Sequence, residues 1–445
     1  MIERLFRLKE NQTTFRTEIL AGLTTFMTMA YILFVQPAVL SQDFAGNPTG
    51  LSPEAVLFAT CVAGFLGCVL MGVLANYPIA QAPGMGENFF FVTVVMGLTA
   101  AGFSESWKVA LGVTFLAGVL FLLLCLLGLQ SAIIDAISPS LKNGIAVGIG
   151  FFICFIGLKG AGVVIEAPGT AIRLNPAVTD PGVLIFLVGL LTIGVLSALQ
   201  VRGAILWGIM VNAVIALLTG QQAWQGVVGL PQEVALFSFD FGWLARPETY
   251  LTVVPYVVVF LFMDVFDTAG TLIGVGEQAG FIKDNRLPRA KQALLSDALA
   301  TVAGSCLGTS TVTSYIESSA GVAYGGRTGL VSVTTGLLFL LALFFTPLAR
   351  SLGGYPPVTA PALFLVGCMM AKNMRRIEWE DATEAIPAFF IMTGIPFFHN
   401  ISDGIAAGLV TYPILKLLAG RGREVSPVLY VVAVLFVLRY VFFPV

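Results

Sequence analysis

The chain reads as an all-α polytopic membrane protein of about 14 transmembrane segments arranged as a 7+7 inverted repeat. Three observations predict this. The composition is too apolar for water, bilayer-length apolar runs follow one another along the chain, and two spans are broken at matching places in its two halves.

Hydrophobic residues make up 57% of the 445 and charged ones only 11%, with a mean hydropathy of +0.92. Soluble domains run near ~25% charged, so this chain lacks the polar surface to face water. Runs such as 110–128, 181–199 and 331–347 are long enough to cross a bilayer, where ~20 apolar residues suffice. So many runs exclude a soluble enzyme on a single anchor. A channel, a transporter or an integral-membrane enzyme remains. The first eighteen residues carry Arg4, Arg7, Lys9 and Arg16 and read as a basic amphipathic lead-in, not a cleavable signal peptide. Cys61, Cys68, Cys125, Cys154, Cys306 and Cys368 all lie in apolar runs and read as small core residues.

Spans are expected near 18–40, 55–75, 83–100, 108–129, 139–158, 181–199, 203–220, 250–274, 291–307, 317–326, 329–347, 358–372, 384–398 and 401–420. The stretch 425–445, which contains Arg439, is either an extra span or a helix along the interface. With the N-terminus placed inside, seventeen Lys and Arg fall in inner loops, among them Lys142, Arg202, Lys283, Arg286, Arg289, Arg327, Lys372 and Arg421. Five fall outside: Lys108, Lys159, Arg173, Arg246 and Arg350. This bias puts the N-terminus in the cytoplasm of a multi-pass protein of the inner (cytoplasmic) membrane.

Residues 190–220 repeat at 390–420: Gly194 falls on Gly394, Gly208 on Gly408, Leu217 and Leu218 on Leu417 and Leu418, and Gly220 on Gly420. Seven spans per half is an odd number, so the second half inserts upside down, the plan of many secondary transporters. The third and tenth spans are then the interrupted ones. The third begins Asn76-Tyr-Pro-Ile-Ala-Gln-Ala-Pro-Gly-Met-Gly-Glu-Asn88, broken by Pro78, Pro83, Gly84 and Gly86. The tenth begins with the hydroxyl-rich stretch Thr309–Thr313, which favours extended backbone, and runs to Glu317. Non-helical backbone at membrane depth survives only when buried or lining a cavity, and paired breaks point to a midplane binding site. Each break is followed by a helix start, whose free N–H groups attract a polar ligand.

The eighth span carries Asp264 and Asp267, three apart, with Thr268 and Thr271 on the same face. An Asp at the bilayer centre costs ~2.5–3.5 kcal/mol on insertion scales, so it faces a cavity or a partner. Glu317 adds a third acid, and no Lys or Arg lies deep in these segments, which makes one of the acids a candidate proton carrier. Glu87 either joins the site or faces the cytoplasm. Glu380, Asp381, Glu384 and Asp403, near span ends, are expected to be solvated. His399, the single histidine, is read as structural. One histidine and scattered thiols give no support for a metal site, a Ser/His/Asp triad or a cofactor.

Several stretches are similar to one family. Phe262-Met-Asp-Val-Phe-Asp-Thr-Ala-Gly-Thr271, Thr309-Ser-Thr-Val-Thr-Ser-Tyr-Ile-Glu-Ser-Ser-Ala-Gly321, Ala82-Pro-Gly-Met-Gly-Glu-Asn88 and Thr411-Tyr-Pro-Ile-Leu-Lys416 resemble the nucleobase/ascorbate transporter family, in its AzgA-like adenine/guanine/hypoxanthine permease branch. The likeness runs from the first span to Gly420. Glu87 stands where an apolar residue is commoner in that branch, and Tyr324 where an acid is commoner.

The resemblance implies a core domain of residues 1–130 and 250–350 and a gate domain of residues 131–249 and 351–445. It implies proton-coupled uptake of purine bases by alternating access, with Asp264, Glu317 and Asn88 contacting the base and Asp267 supporting transport. Thr268 completes the binding set, and Phe262 and Phe89 are the aromatic candidates for a purine's flat face. Proton coupling falls to Asp267, Glu317, Asp264 and Glu87. Dimers occur in related folds, so a homodimer is a further expectation. The alternatives are a transporter of the same architecture for an anion, which would want a cation where three acids stand, or for another nucleobase such as uracil or xanthine.

Overall fold

The computed structural model describes residues 2–129, 137–282 and 287–442; Lys283 and Arg286, counted above on the inner side, and the last three residues of the terminal stretch lie outside them. The helices, in order, are α1 (Ile2–Phe6), α2 (Phe15–Met29), α3 (Ile32–Leu40), α4 (Pro53–Leu70), α5 (Met85–Ala100), α6 (Ser106–Leu127), α7 (Pro139–Gly160), α8 (Pro181–Ala198) and α9 (Ala204–Leu218). The second half follows with α10 (Tyr250–Gln278), α11 (Ala290–Leu307), α12 (Ser318–Tyr324), α13 (Gly329–Ala342), α14 (Thr346–Gly353), α15 (Pro356–Met370), α16 (Ala382–Phe398), α17 (Ile401–Leu418) and α18 (Pro427–Phe442). Strands are short: β1 (Gln81–Pro83) pairs with β4 (Val312–Ser314), and β2 (Val164–Ala167) forms a hairpin with β3 (Ala171–Leu174) that the sequence reading did not anticipate.

Among the described residues seven helices are long and apolar enough to cross a bilayer, and α14 with the helix that follows it makes one further segment bent by 82°. Five shorter apolar helices accompany them, so the molecule is predominantly helical and polytopic. Local chemistry sets the starts. Ser52-Pro53, Ser138-Pro139 and Asp180-Pro181 each place a capping oxygen before a proline whose fixed φ suits the first helical turn. The end of α11 needs Gly308, at φ +98°, where an added Cβ would also strike Ala235.

The repeat holds at the level of contacts. A Cβ on Gly208 would collide with Ile193, and one on Gly408 with Ile391, so each pair α8–α9 and α16–α17 closes through a glycine in the same way. Packing falls into two groups: α4, α11 and α13 pack together with α2 and α6, while α7 packs on α15 and α16, and α16 on α17.

At the span ends one open alternative narrows and one expectation changes. Helix α18 runs back along α17: Tyr430 donates to the Gly422 carbonyl near its start, while Arg439 and Tyr440 reach Ser402 and Asp403 at the far end. Its stripe Leu429, Val432, Ala433, Phe436 and Arg439 is buried, so it is a packed segment and not a helix on the interface. Glu384, expected to be solvated, is buried, because Lys416 reaches it from the next helix at 2.9 Å. Lys416 also lies 3.0 Å from Glu424, and Arg421 binds both Asp381 and Glu424.

Bonds from Thr383 and Arg421 hold the Asp381 carboxyl below its ordinary range, and bonds from Arg421 and Lys416 lower Glu424 to about 2. Both groups are depressed on folding, so the stability they add is present above the ordinary carboxylate range and is lost as pH falls toward about 2. Lys416→Met would strand Glu384 in the interior without its cation. A loss of about 3–5 kcal/mol is expected, read as a lower melting temperature of the purified protein; an unchanged melting temperature would show that the network does not hold α16 to α17.

Candidate functional site

The two predicted breaks meet. The α4 helix widens into a π-turn at Met71–Ala75, Asn76 turns the chain at φ 50°, and the backbone extends through β1. It pairs antiparallel with β4, Gln81 opposite Ser314, Ala82 opposite Thr313 and Pro83 opposite Val312. The Gly84 N–H donates to the Thr311 carbonyl and the Tyr315 N–H to that of Ala80, both at 3.0 Å. The two interruptions thus satisfy each other's backbone groups, and this makes extended chain tolerable at membrane depth. Helix α5 leaves one strand and α12 the other, with Gly84 and Glu317 as their caps.

Around this crossing gather five acids: Glu87, Asp264, Asp267, Asp297 and Glu317. Asp264 is buried, its Oδ2 accepting from Thr301 Oγ1 at 2.9 Å, and its carboxyl meets that of Asp297. Asp297, on α11, is buried too. Its Oδ1 accepts from Gln81 Nε2 at 2.8 Å and Thr268 Oγ1 at 2.6 Å. Asp267, one turn along α10 from Asp264, is exposed, with Thr313 Oγ1 at 3.4 Å from Oδ2. Glu317 is half-buried and its Oε1 accepts from Tyr31 at 2.9 Å. Glu87 settles inside: it is buried, and its Oε2 folds back over Gly84, where a Cβ would collide with it. Asp267 interacts electrostatically with each of the other four. Among the described residues no Lys or Arg forms an ion pair with any of the five.

The remaining predicted residues are placed differently. Asn88 is fully buried, accepting from Ser310 Oγ and donating to Gln36 Oε1 at 3.3 Å, so it ties the first, third and tenth segments together. Thr268 bridges Asp297 and β4, with Thr313 Oγ1 at 2.8 Å and the Ser314 N–H at 3.2 Å. Phe89 is sealed against Phe44 and Phe152, whereas Phe262 stacks on Phe266 at 5.7 Å, near-parallel. Asp297 escaped the sequence reading. Its signal was available: an aspartate in the middle of an apolar stretch, as for Asp264, but without a second acid beside it.

An open face leads to this cluster. Along α10, Asp267, Gly270, Ile273 and Glu277 are exposed, and an added Cβ at Gly270 would meet nothing within 4 Å. A helix that carries an exposed carboxylate at membrane depth borders a watered cavity and not lipid.

A helical membrane protein with two broken segments crossing at a cluster of acids, built on an internal repeat, is a transporter and not an enzyme. The family model described as "Permease family" (Xan_ur_permease) matches residues 16–403, and the chain belongs to that family. It is 42% identical over 441 residues to the guanine/hypoxanthine permease PbuO of Bacillus subtilis (strain 168), covering 98% of this chain and 99% of that protein. It is 40% identical over 454 residues to the adenine permease AdeP of Escherichia coli (strain K12), covering 99% and 96%. Among solved structures it is similar to the transmembrane domain of the cyanobacterial bicarbonate transporter BicA, with a TM-score of 0.63 at 14% identity over 88% of this chain and 97% of that one. It is also similar to murine Slc26a9, with a TM-score of 0.63 at 12% identity over 91% and 69%. These structural likenesses establish a shared inverted-repeat fold.

Proposed function

We propose that the chain is a symporter that imports purine nucleobases (adenine, guanine, hypoxanthine) together with protons, by alternating access across the inner membrane with its N-terminus in the cytoplasm. The observation that carries this reading is the five-acid cluster, with which no Lys or Arg forms an ion pair among the described residues, set where the two extended segments cross, in a chain whose relatives are named for purine permeation. A neutral base offers ring N–H donors, which suit a cluster of carboxylate acceptors. An anion would meet carboxylates there. The open face of α10 supports a route along it: a base passing Ile273 and Gly270 would reach Asp267 and then the crossing.

In this reading residues 1–130 and 250–350 form the core and residues 131–249 and 351–445 the gate, a division in keeping with the two packing groups above. Movement of one group against the other would expose the crossing to each side in turn. Uptake of radiolabelled adenine, guanine and hypoxanthine, with and without an uncoupler, tests the proposal. Uracil and xanthine as competitors separate it from a permease of other bases, and absence of purine uptake would end it.

Asn88→Ala should weaken base binding by about 1–3 kcal/mol, because the amide that aligns Ser310 and Gln36 at the crossing is gone. An unchanged dissociation constant in purified protein would remove Asn88 from the binding machinery.

A further inference from the structure

Tyr31 lies where the first span breaks between α2 and α3, is 2% exposed, and donates its hydroxyl to Glu317 Oε1 at 2.9 Å. From the same span Thr28 Oγ1 reaches the Glu317 carbonyl at 3.4 Å. One turn of the first span therefore holds both the side chain and the backbone of the acid that caps α12. Among the described residues, Glu317 receives no other side-chain donor. The phenol therefore takes one acceptor position on one of the two carboxylate oxygens.

We infer that Tyr31 is a specificity-determining positioning residue that weakens Glu317 as a bidentate acceptor for its ligand; the inference rests on the purine reading above. A bare carboxylate presents two parallel acceptors, which suit two adjacent donors in a bidentate pair. Guanine offers such a pair, its ring N1–H beside the 2-amino group. Hypoxanthine has the same N1–H without the amino group, and adenine has an amino group beside a ring acceptor. With one acceptor position of Oε1 taken by the phenol, the second donor of guanine must share an oxygen already engaged and makes a weaker bond for the water it loses, so the site discriminates against the ligand that carries that donor.

The test is competition by unlabelled guanine and hypoxanthine against labelled hypoxanthine uptake. In the wild type hypoxanthine should compete at least as well as guanine. Tyr31→Phe frees Oε1 and should shift the ratio toward guanine by about threefold or more, part of the effect of one hydrogen bond to a charged group. Tyr31→His, which keeps a donor, should hold the wild-type ratio. A shift of less than twofold in a transporting Tyr31→Phe protein overturns the inference and leaves the purine reading standing. Should Tyr31→Phe not reach the membrane, the wild-type ratio decides: guanine competing tenfold better than hypoxanthine overturns the inference, and parity or a hypoxanthine preference upholds it. A wild type that takes up no purine would fail the function itself, a result distinct from an unchanged ratio.

Discussion

Asp264→Asn and Glu317→Gln chains should each reach the membrane in normal amount and take up no purine base. Both substitutions keep the size and shape of the side chain. An asparagine at 264 retains an oxygen to accept from Thr301, and a glutamine at 317 retains one for Tyr31, so the bonds that hold these residues in the fold survive. Removing one charge from five clustered acids relieves repulsion and does not strand a counter-ion, since no described cation is paired with them. Folding is therefore spared while the acceptor for a base N–H becomes weaker or turns into a competing donor. A hydrogen bond to a charged group contributes about 1.5–3 kcal/mol, so its loss together with the loss of a titrating site should lower uptake by about 100-fold or more. Immunoblots of the membrane fraction beside uptake rates make the check. Wild-type uptake by either well-expressed variant would take that residue out of the site.

Much of this architecture was legible in the residues because the bilayer leaves few solutions. Apolar length alone located the helices, and the breaks at 76–88 and 304–317 announced themselves through proline, glycine and β-branched hydroxyl residues. What these cues do not carry is partnership across sequence. That β1 pairs with β4 is a contact between residues more than two hundred positions apart, and nothing in Gln81 or Ser314 alone names the other. The same limit hid Asp297, which acquires meaning only when α11 brings it beside Thr268 and Gln81. Glu384 was misread for a related reason. Its position near a span end suggested water, and the cation that buries it, Lys416, sits at the far end of the next helix. Asn88 shows the converse: its segment was correctly singled out, but its partners Gln36 and Ser310 come from two other spans.

Coupling should follow protons and not sodium, and Asp267 should be where it is lost. Uptake is expected to rise as external pH falls and to collapse with an uncoupler, because a carrier facing outward must take up a proton with the base before it turns. The geometry singles out Asp267 for the exchange. It is the exposed member of the pair on α10, it lies on the open face that continues through Gly270, and it interacts with all four other acids. A proton added or removed there is felt by the whole cluster, whereas Asp264 is enclosed by Thr301 and β4. Asp267→Asn fixes the group in a neutral form that cannot exchange. That variant should keep measurable purine binding in purified protein and lose pH-driven accumulation in cells or vesicles, while facilitated exchange of labelled for unlabelled base persists. Loss of binding as complete as in Asp264→Asn would make Asp267 a direct ligand and void this division of labour. Accumulation that follows a sodium gradient and ignores the uncoupler would defeat the proton mechanism altogether.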